Sequence, residues 1–435
     1  MKIAMSSYTG MGAWFVLRCM AEGHDVDYYL SDLKYEDVLS GLIPKPKPLA
    51  LDHRRTVRGY GYPDYSGYDL SLFDLTGRSK QADHSRQSAP TIGDGSLEHM
   101  LEDDREAGIQ AMEQCGIKVP PYKKFANPSE AKAFIKKEDR RYVYKPFTLG
   151  SDMQDVATTY VAKDAEDMLK VIDQLFSISK SAPFILQEFI EGTEASVAAF
   201  FNGKEFYQVN CTLEEKKFMN DNKGPNTGCS GVLAFALSQE SKLFREGLAK
   251  AAPLLEAVGF TGIIDLNTIV TMDRAYGLEW TPRFGYLGDI TVAAMYGHGY
   301  PELLRRTAAM EVPELKWTGT FGMSTTLSIP PYPTEIRIPK AIDVPISGID
   351  PEDIELMKMI YMYDAKLDKS KKGLITSGNY GFICAPTGIG GNADEAAANC
   401  EKLVKQIQIP NMQYRTDIHK STQKRYAFLE ENCWL

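Results

Sequence analysis

Short apolar segments alternate with amphipathic ones near the N-terminus, and this pattern predicts an α/β domain. Residues 2–5 and 25–30 have the composition of strands, and residues 14–20 between them have that of a helix. A glycine-containing turn at 10–12 leads into this helix. Strand, turn, helix and strand in this order are typical of an open sheet whose carboxyl edge faces a ligand crevice. We therefore expect an open α/β domain over residues 1–96.

A different pattern begins near Leu97 and predicts α+β structure. Residues 97–115 have charged and apolar faces at helical spacing, which predicts one helix. Residues 242–258 also have a helical pattern, in which Pro253 should cause a kink. Two apolar segments at 263–271 and 275–280 flank a short polar turn and predict a β-hairpin. The expected units after the first domain are a core over 97–122 and 185–318, a small module over 123–184 and a C-terminal domain over 319–435.

Composition and charge narrow the class of protein. The chain has 435 residues, of which 43% are hydrophobic and 25% charged, as in ordinary globular proteins. Its net charge of −9 argues against sequence-independent binding to nucleic acid, and no apolar run reaches the length of a transmembrane helix. The seven cysteines are scattered without a CxxC spacing, which favours buried free thiols in a reducing compartment. We therefore expect a cytoplasmic protein that binds neither membranes nor nucleic acid.

Asp265 and Glu279 are the first candidates for a functional site. Each interrupts an otherwise apolar strand, and a hairpin would bring the two strands side by side. Carboxylates at paired positions on one face repel each other unless a cation lies between them. Mg²⁺ that also binds nucleotide phosphates is a common solution, because it takes few protein ligands. The alternative is a pair of solvated strand positions.

Several basic residues could bind phosphate. Lys145 follows a predicted strand and precedes a glycine-containing loop, and Arg105 lies in the preceding helical segment. Lys216 and Lys217 precede a Gly/Asn-rich loop at 224–228, whose backbone N–H groups could also contact an anion. Each of these residues could instead be an ordinary surface charge.

Two further segments place polar groups near strand ends. The strand that contains Gln187 ends in a polar turn, so its backbone could contact a purine edge while Glu194 accepts hydrogen bonds from ribose hydroxyls. The alternative is a strand with a charged turn. Arg283 follows Glu279 closely and could bind a substrate carboxylate or stabilise an acyl phosphate. A structural ion pair with a nearby acid is the alternative for Arg283.

In this order, the segments resemble the phosphoribosylamine–glycine ligase (glycinamide ribonucleotide synthetase) family of the ATP-grasp superfamily. The most specific part is QEFIEGTEAS, followed by EKK and GPNTG. The resemblance implies an ATP-grasp fold of class α/β and α+β, with an open N-terminal α/β domain, a small lid subdomain that closes over ATP and a mixed C-terminal domain. The segments that carry it span nearly the whole chain and are 187–196, 215–217, 224–228, 261–266, 278–285, 375–396 and 414–418.

The resemblance also implies a role for each candidate residue, with ATP and Mg²⁺ (or Mn²⁺) as the cofactors. The residues implied in ATP binding are Arg105, Lys145, Gln187, Glu188, Ile190 through its backbone, Glu194 and Lys216. The residues implied as metal ligands are Asp265, Glu279 and Thr281. The residues implied in catalysis, toward the amino acid or its acyl phosphate, are Lys217, Asn226 and Arg283. Spacing leaves open whether Lys216 or Lys217 contacts phosphate.

The implied reaction forms an amide from a carboxylate and an amine through an acyl phosphate. Its substrates would be glycine and 5-phosphoribosylamine, which give glycinamide ribonucleotide in purine biosynthesis, and the enzyme would be a monomer or a homodimer. Positioning and electrostatics supply most of such catalysis.

The sequence departs from the family at several positions. Thr281 stands where the family has Asn, Tyr286 where it has an acid, and the N-terminal Gly-Gly-Arg-Glu-His-Ala motif is absent. Two alternatives therefore stay open. One is the same chemistry on another amine or acid, as in nucleotide or metabolite modification by a viral or accessory enzyme, and the other is a nucleotide-binding pseudoenzyme. The sequence also leaves open whether the Tyr-rich segment 57–68 gates the amine site.

Overall fold

A computed structural model of the chain describes residues 1–49, 62–74, 79–93, 95–146, 159–178, 183–312, 317–334, 338–370 and 372–435. Its first elements are β1 (Lys2–Ser7), α1 (Ala13–Ala21), β2 (Asp25–Leu30), β3 (Lys47–Pro48), β4 (Leu70–Phe73), α2 (Ser79–Arg86), β5 (Thr91–Ile92), α3 (Ser96–Glu102) and α4 (Arg105–Gln114). The five strands form a parallel sheet in the order β3-β2-β1-β4-β5. This sheet confirms the predicted open α/β region.

The carboxyl edge of this sheet is closed by a short hydrogen-bonded turn. Ser7 Oγ donates to Asp74 Oδ2 at 2.6 Å, and the backbone N–H of Gly10 donates to Ser7 Oγ at 3.1 Å. A Cβ on Gly12 would lie 2.2 Å from Met5 Cε, so the turn requires glycine there. Burial raises the pKa of the Asp74 carboxyl to about 6. The edge of the sheet is therefore a tightly packed polar turn.

The small module is an antiparallel sheet covered by two helices. Its elements are β6 (Tyr122–Phe125), α5 (Pro128–Glu138), β7 (Tyr142–Pro146), β8 (Tyr160–Val161), α6 (Ala165–Ile178) and β9 (Phe184–Glu188). The strands are ordered β6-β9-β7-β8. The module has a hydrophobic cluster of its own, which includes Phe125, Ile135 and Phe184. Such a separate core suits a unit that moves as one body.

The largest sheet links the predicted core to the C-terminal region. Its core elements are β10 (Thr193–Asn202), β11 (Phe206–Met219), β12 (Lys223–Ala236), α7 (Lys242–Glu246), α8 (Ala252–Ala257), β13 (Thr261–Val270), β14 (Ala275–Thr281), α9 (Gly288–Tyr296) and α10 (Tyr300–Ala308). The later elements are β15 (Phe321–Thr325), β16 (Leu327–Ser328), β17 (Pro345–Ile346), α11 (Ile354–Lys358), β18 (Ile360–Met362), β19 (Lys366–Leu367), β20 (Leu374–Ile375), β21 (Phe382–Gly390), α12 (Ala393–Gln406) and α13 (Ile418–Glu431).

Hydrogen bonding in the large sheet continues past the predicted boundary at residue 319. The order is β14-β13-β10-β11-β12-β15-β21-β16, and β18 also pairs with β21. The strands on the two sides of the boundary meet where β12 pairs with β15. The strands β17, β20 and β19 form a separate small sheet. The predicted domain limits stay a prediction, but the core and the C-terminal region share one backbone scaffold.

Two helices predicted as continuous are divided in the structure. The predicted helix 97–115 ends at Glu102 and restarts at Arg105, because the Asp104 carboxylate accepts from Ala107 N at 3.1 Å and caps a new helix. The predicted helix 242–258 is divided at Gly247, which has non-helical dihedral angles, and again where a 3-10 turn over Leu248–Ala251 meets α8, next to the Pro253 that was expected to kink or divide it. The proline lies in the first turn of α8, where its missing N–H costs nothing.

The cysteines are free thiols, and the helices of the described residues are too short or too polar to span a membrane. None of the seven cysteines is paired with another, and five of them are buried, as predicted. Burial raises the pKa of the Cys384 thiol to about 12, so it stays protonated and unreactive. Across the described ranges, none of the helices combines the length and the apolar character needed to cross a bilayer.

A buried charge network fastens the C-terminal segment to the large sheet. Glu215 on β11 accepts from Arg425 at 2.9 Å and lies 3.2 Å from Arg415, whose side chain is only 1% exposed. Arg425 also donates to the carbonyl oxygens of Glu194 at 3.2 Å and Glu214 at 2.9 Å. The network therefore couples α13 directly to two strands of the core.

We expect Glu215→Gln to lower the free energy of unfolding by about 3 kcal/mol, because it removes the buried carboxylate that Arg415 and the partly buried Arg425 share. The matched control is Glu401→Gln, since Glu401 pairs with Lys405 on the exposed face of α12. That change should cost less than about 0.5 kcal/mol. Urea unfolding of both variants measures the difference, and equal midpoints would contradict the assigned role of the network.

Candidate active site

Four polar side chains share one face of the β13–β14 hairpin. The antiparallel register pairs Asp265 with Thr281 and Asn267 with Glu279. Alternate residues of a strand face the same side, and all four side chains line one cavity of about 280 Å³. The expectation that Asp265 and Glu279 are directly paired is therefore wrong, although the two are diagonal neighbours on the same face.

A β-bulge explains this register. The pairing shifts between Asn267 and Thr268, so that Leu278 is the extra residue on β14. If regular pairing continued from Thr268 and Gly277, Glu279 would lie opposite Leu266 and its side chain would point away from Asp265. Bulges re-aim side chains in this way beside functional sites. The bulge is thus what brings the two carboxylates to one cavity.

The carboxylates have the properties of a divalent-metal site. Asp265 Oδ1 is buried and has no hydrogen-bond partner among the described residues. Burial, followed by the charges of Asp289 and Glu214, raises the pKa of Asp265 well above its ordinary value. A cation would supply the missing partner and offset this repulsion. Asp265 and Glu279 therefore fit the predicted metal.

The donor set indicates which kind of ion would fit. Among the described residues, no three or more His, Cys, Asp or Glu side chains come together as a metal site. Mg²⁺ does not need such a cage, because it binds through one or two carboxylates plus phosphate oxygens and waters. The described residues thus fit a Mg²⁺ ion that arrives with a nucleotide.

Asn267 is a site residue that sequence reasoning missed. Its Oδ1 accepts from Ser196 Oγ at 2.5 Å, and its Nδ2 donates to Thr281 Oγ1 at 3.4 Å. The carboxamide that the resembled family has at position 281 is therefore present across the hairpin, at position 267. An Asn in the apolar run that follows Asp265 was the signal that could have revealed it.

The predicted cations face Glu279. Burial works to raise the pKa of Glu279, but the charges of Lys216 and Lys145 outweigh burial and lower it. Arg105 lies on the same cavity wall, and burial lowers its pKa while Glu279 opposes that effect. Lys145 is 6% exposed, and burial lowers its pKa to about 8. Three cations around one carboxylate form a site suited to a polyanion.

The structure distinguishes the two adjacent lysines. Lys216 lines the cavity, and its Nζ lies 3.5 Å from Glu194 Oε1. Burial works to lower its pKa, but the carboxylates of Glu194 and Glu214 outweigh burial and raise it. Lys217 is not among the residues that line this cavity, and its carbonyl accepts from Arg415 at 3.1 Å. The geometry therefore favours Lys216 as the phosphate contact.

Arg283 lies in the cavity but already has a partner. Its NH2 group donates to Glu102 Oε1 at 2.6 Å, and its NH1 group donates to the carbonyl of Phe284 at 2.8 Å. This is the structural ion pair that the sequence left open. Arg283 Nε and Glu102 Oε2 are nevertheless buried without a hydrogen-bond partner among the described residues. The pair therefore retains one donor and one acceptor for a ligand.

The predicted adenine-binding residues lie where the small module meets the core. Gln187 on β9 is 2% exposed, and its Nε2 has no partner in the described part of the chain. The Glu188 carboxylate accepts from Arg140 at 3.0 Å, while Ile190 follows in the link to β10. Glu194 is held by Lys216, as described above. Gln187 is thus the residue of this group with an unused buried donor.

Asn226 lies apart from the carboxylates. It borders a second cavity of about 380 Å³, which shares Gly228, Cys229, Tyr286 and Leu287 with the first. The structure therefore divides the predicted catalytic residues, since Arg283 borders the first cavity and Asn226 the second. The two cavities are therefore neighbours that share part of their walls.

Part of two sequence expectations lies outside the described residues. The loop after Lys145 with Gly150 and Ser151 is not described, nor is the first half of the Tyr-rich segment. In the described half, Tyr65 and Tyr68 are buried in a small N-terminal cluster with Phe73. Tyr68 donates to Asp27 Oδ2 at 2.5 Å. These two tyrosines therefore have a structural role.

Other charged residues of the first cavity also escaped sequence reasoning. Glu214 lines the cavity beside Lys216, and burial raises its pKa. Glu102 lies at the end of α3, and burial raises its pKa against the opposing charge of Arg283. Both occur in strongly charged stretches of sequence, where no local pattern distinguishes them from surface residues.

Comparison with known proteins identifies similar sequences. Residues 108–288 match the family described as phosphoribosylglycinamide synthetase, ATP-grasp (A) domain. A phosphoribosylamine–glycine ligase of Streptococcus pneumoniae (strain ATCC BAA-255 / R6) is 25% identical over 332 residues, which cover 73% of this chain and 75% of the relative. The corresponding ligase of Clostridium acetobutylicum is 25% identical over 344 residues, which cover 76% and 78%.

Solved structures share the fold. A phosphoribosylamine–glycine ligase from Thermotoga maritima superposes with a TM-score of 0.72 at 18% identity and covers 96% of this chain and 100% of its own. A biotin carboxylase from Campylobacter jejuni, solved with a β,γ-ATP compound, gives a TM-score of 0.65 at 12% identity, with 99% and 97% covered. These likenesses confirm the predicted ATP-grasp fold.

We expect the affinity for Mg-ATP to fall as the pH rises through about 8, because Lys145 then loses its proton in the free protein. The fall should approach at most about tenfold per pH unit. Titration calorimetry between about pH 7 and pH 9.5 measures it. Lys145→Arg should remove the pH dependence, because arginine stays charged throughout this range. A fall of the same size in Lys145→Arg would contradict the assignment.

Proposed function

We propose that this chain, which has the ATP-grasp fold and is similar to phosphoribosylamine–glycine ligases, joins a carboxylate to an amine through an acyl phosphate. The observation that carries the proposal is the first cavity, where two carboxylates suited to Mg²⁺ lie with Arg105 and Lys216, and Lys145 is close enough to influence Glu279. Transfer of a γ-phosphoryl group requires such cations and a metal to stabilise the charge on the phosphates.

ATP binding is the first task of the proposed site. Lys145, Arg105 and Lys216 would hold the triphosphate, since each carries positive charge into the cavity region. Gln187 would donate its unused Nε2 to the base, and Glu194 would accept from the ribose. Bound Mg²⁺, held by Asp265 and Glu279, would neutralise charge on the phosphates.

The proposed reaction has two chemical steps, formation of an acyl phosphate and formation of the amide. A carboxylate oxygen attacks the γ-phosphorus, the bond between this phosphorus and the β,γ-bridging oxygen breaks, and ADP leaves. The amine nitrogen attacks the acyl carbon, the acyl C–O bond breaks and inorganic phosphate leaves with the electron pair. The nitrogen loses a proton to water, and an amide remains. Arg283, through its open Nε, would orient the carboxylate.

The substrate pair has two candidates. The names of the relatives supply glycine and 5-phosphoribosylamine, which would give glycinamide ribonucleotide and place the chain in purine biosynthesis in the cytoplasm. The second candidate pairs an acid with another amine, and the aromatic composition of the second cavity favours it. Both candidates use the same ATP chemistry.

ADP release with Mg-ATP and glycine, with and without freshly generated 5-phosphoribosylamine, tests the first pair. Release that requires both substrates, with glycinamide ribonucleotide detected by mass spectrometry, would support it. Release without phosphoribosylamine, or no release with either, would exclude this pair, and a matrix of other acids and amines then tests the ligase chemistry itself.

We expect Glu279→Gln to lower turnover at least about a thousandfold, because it removes charge from the metal-binding face. Glu256→Gln is the matched control, since Glu256 is exposed on α8, and it should leave turnover unchanged. The measurement is ADP release at saturating substrates, with circular dichroism to verify folding. Near-normal turnover in Glu279→Gln would overturn the assignment, and ATP binding without phosphate release from any pair would favour the pseudoenzyme.

A further inference from the structure

The second cavity adjoins the proposed ATP site and has a different chemical character. Its volume of about 380 Å³ lies within the range of small-molecule sites. Gly228 and Tyr286 line both this cavity and the first. A molecule in the second cavity would therefore lie next to an acyl phosphate formed in the first.

Aromatic rings from distant parts of the chain form the cavity wall. The ring centroid of Phe382 lies 5.6 Å from that of Tyr361, 5.9 Å from that of Tyr363 and 6.0 Å from that of Tyr332. Phe382 and Tyr332 are only partly buried, so they keep surface for a ligand. These spacings match ordinary aromatic packing. A flat ring would extend this packing.

Hydrogen bonds hold the wall in place. The Tyr363 hydroxyl donates to the carbonyl of Thr9 at 3.1 Å, and the Tyr361 hydroxyl to that of Met11 at 3.4 Å. Tyr380 is bonded through its hydroxyl to Tyr35. The wall is therefore fixed from both sides by the N-terminal domain and the C-terminal region.

A buried carboxylate fixes the turn that carries Tyr380. Asp364 accepts from the backbone N–H of Asn379 at 2.9 Å, of Tyr380 at 3.2 Å and of Gly381 at 2.8 Å. Because these side chains are already ordered, binding a rigid ring to this wall carries little entropic cost from immobilising them. The cavity is thus preorganised for a ring-bearing ligand.

The rest of the lining is consistent with an uncharged ring. The described residues that border this cavity are aromatic, aliphatic, small or neutral polar, with no charged side chain among them. A phosphate group prefers Arg, Lys or converging N–H groups, and an ammonium ion prefers a carboxylate. The neutral polar side chains of the lining include Thr9 and Asn226, and Thr9 Oγ1 is buried without a hydrogen-bond partner among the described residues. Asn226 lies close in sequence to Gly228, which lines both cavities, so it could orient a neutral amine there.

We propose that this cavity binds the amine substrate and that the amine carries an aromatic ring instead of a sugar phosphate. The inference rests on the proposed ligase function and specifies its acceptor. The acid must reach the γ-phosphate, so it belongs in the first cavity beside Arg283. The ring packs against Phe382 and Tyr332, and the amino group lies at the wall formed by Gly228 and Tyr286, on the side of the acyl carbon.

The test measures binding and turnover separately. Titration calorimetry with the full-length protein and Mg-ADP follows the binding of benzylamine, tyramine, tryptamine and ribose 5-phosphate. ADP release is then measured with Mg-ATP, glycine or another small acid, and each amine, with 5-phosphoribosylamine included. Phe382→Leu removes a ring from the wall, and Phe321→Leu is its matched control on β15, outside the cavity.

We expect at least one ring-bearing amine to bind and to stimulate ADP release. Phe382→Leu should weaken its binding about tenfold and leave the Kd for Mg-ATP unchanged, whereas Phe321→Leu should change neither. Tyr332→Leu should repeat the effect if Phe382→Leu fails to fold, with the exposed Tyr414→Leu as its control.

Two results would overturn the inference. One is turnover with 5-phosphoribosylamine while no ring-bearing amine binds, which would leave the ligase function intact. The other is ring-bearing amines that bind equally well to Phe382→Leu and the unmodified protein. Binding that depends on Phe382, combined with no ADP release from any pair, would instead support the cavity assignment and contradict the ligase function.

Discussion

The arrangement of this protein depends on two carboxylates that repel each other in one cavity. Asp265 and Glu279 face the same space, and an unpartnered buried oxygen of Asp265 shows that the described residues alone do not satisfy the pair. Such an arrangement is costly unless cations approach it. The charges of Lys216, Lys145 and Arg105 act on Glu279, and a metal bound with a nucleotide would supply the missing partner of Asp265. The site is thus incomplete by itself and complementary to a metal–polyphosphate ligand.

The surrounding fold holds this unfavourable arrangement in place. The hairpin that carries both carboxylates is the edge of a sheet that continues through the core into the C-terminal region. The buried Glu215–Arg415–Arg425 network ties the last helix to the strands that carry Glu194 and Lys216. The free energy that stabilises the fold elsewhere offsets the electrostatic cost at the site.

The sequence alone indicated those site residues whose charge contrasts with apolar neighbours in the chain. Asp265 and Glu279 stand out because they interrupt apolar strands. The Leu278 bulge that places them on one face has no sequence signature, since it depends on how β13 and β14 pair. Glu214 and Glu102 were missed because charged neighbours hide them. Likewise, Asp104 looks like one more charged residue of a helix, yet its side chain caps a new one.

The second cavity could not be predicted from any local pattern. Its rings come from positions 286, 332, 361, 363, 380 and 382, and only the folded sheet brings them together. The resemblance to a known family rests on short motifs, and these motifs contain the residues implied in ATP binding. The lining of the second cavity, in contrast, comes from segments that are far apart in the sequence.

The most direct test of the account follows oxygen atoms through the reaction. The carboxylic acid that supports ADP release is labelled with ¹⁸O in both carboxylate oxygens, and the released phosphate is analysed by mass spectrometry. An acyl phosphate formed at the Asp265–Glu279 cavity predicts that each phosphate carries one ¹⁸O atom and that the amide keeps the other. Unlabelled phosphate, released together with product, would contradict the acyl-phosphate route and with it the central claim.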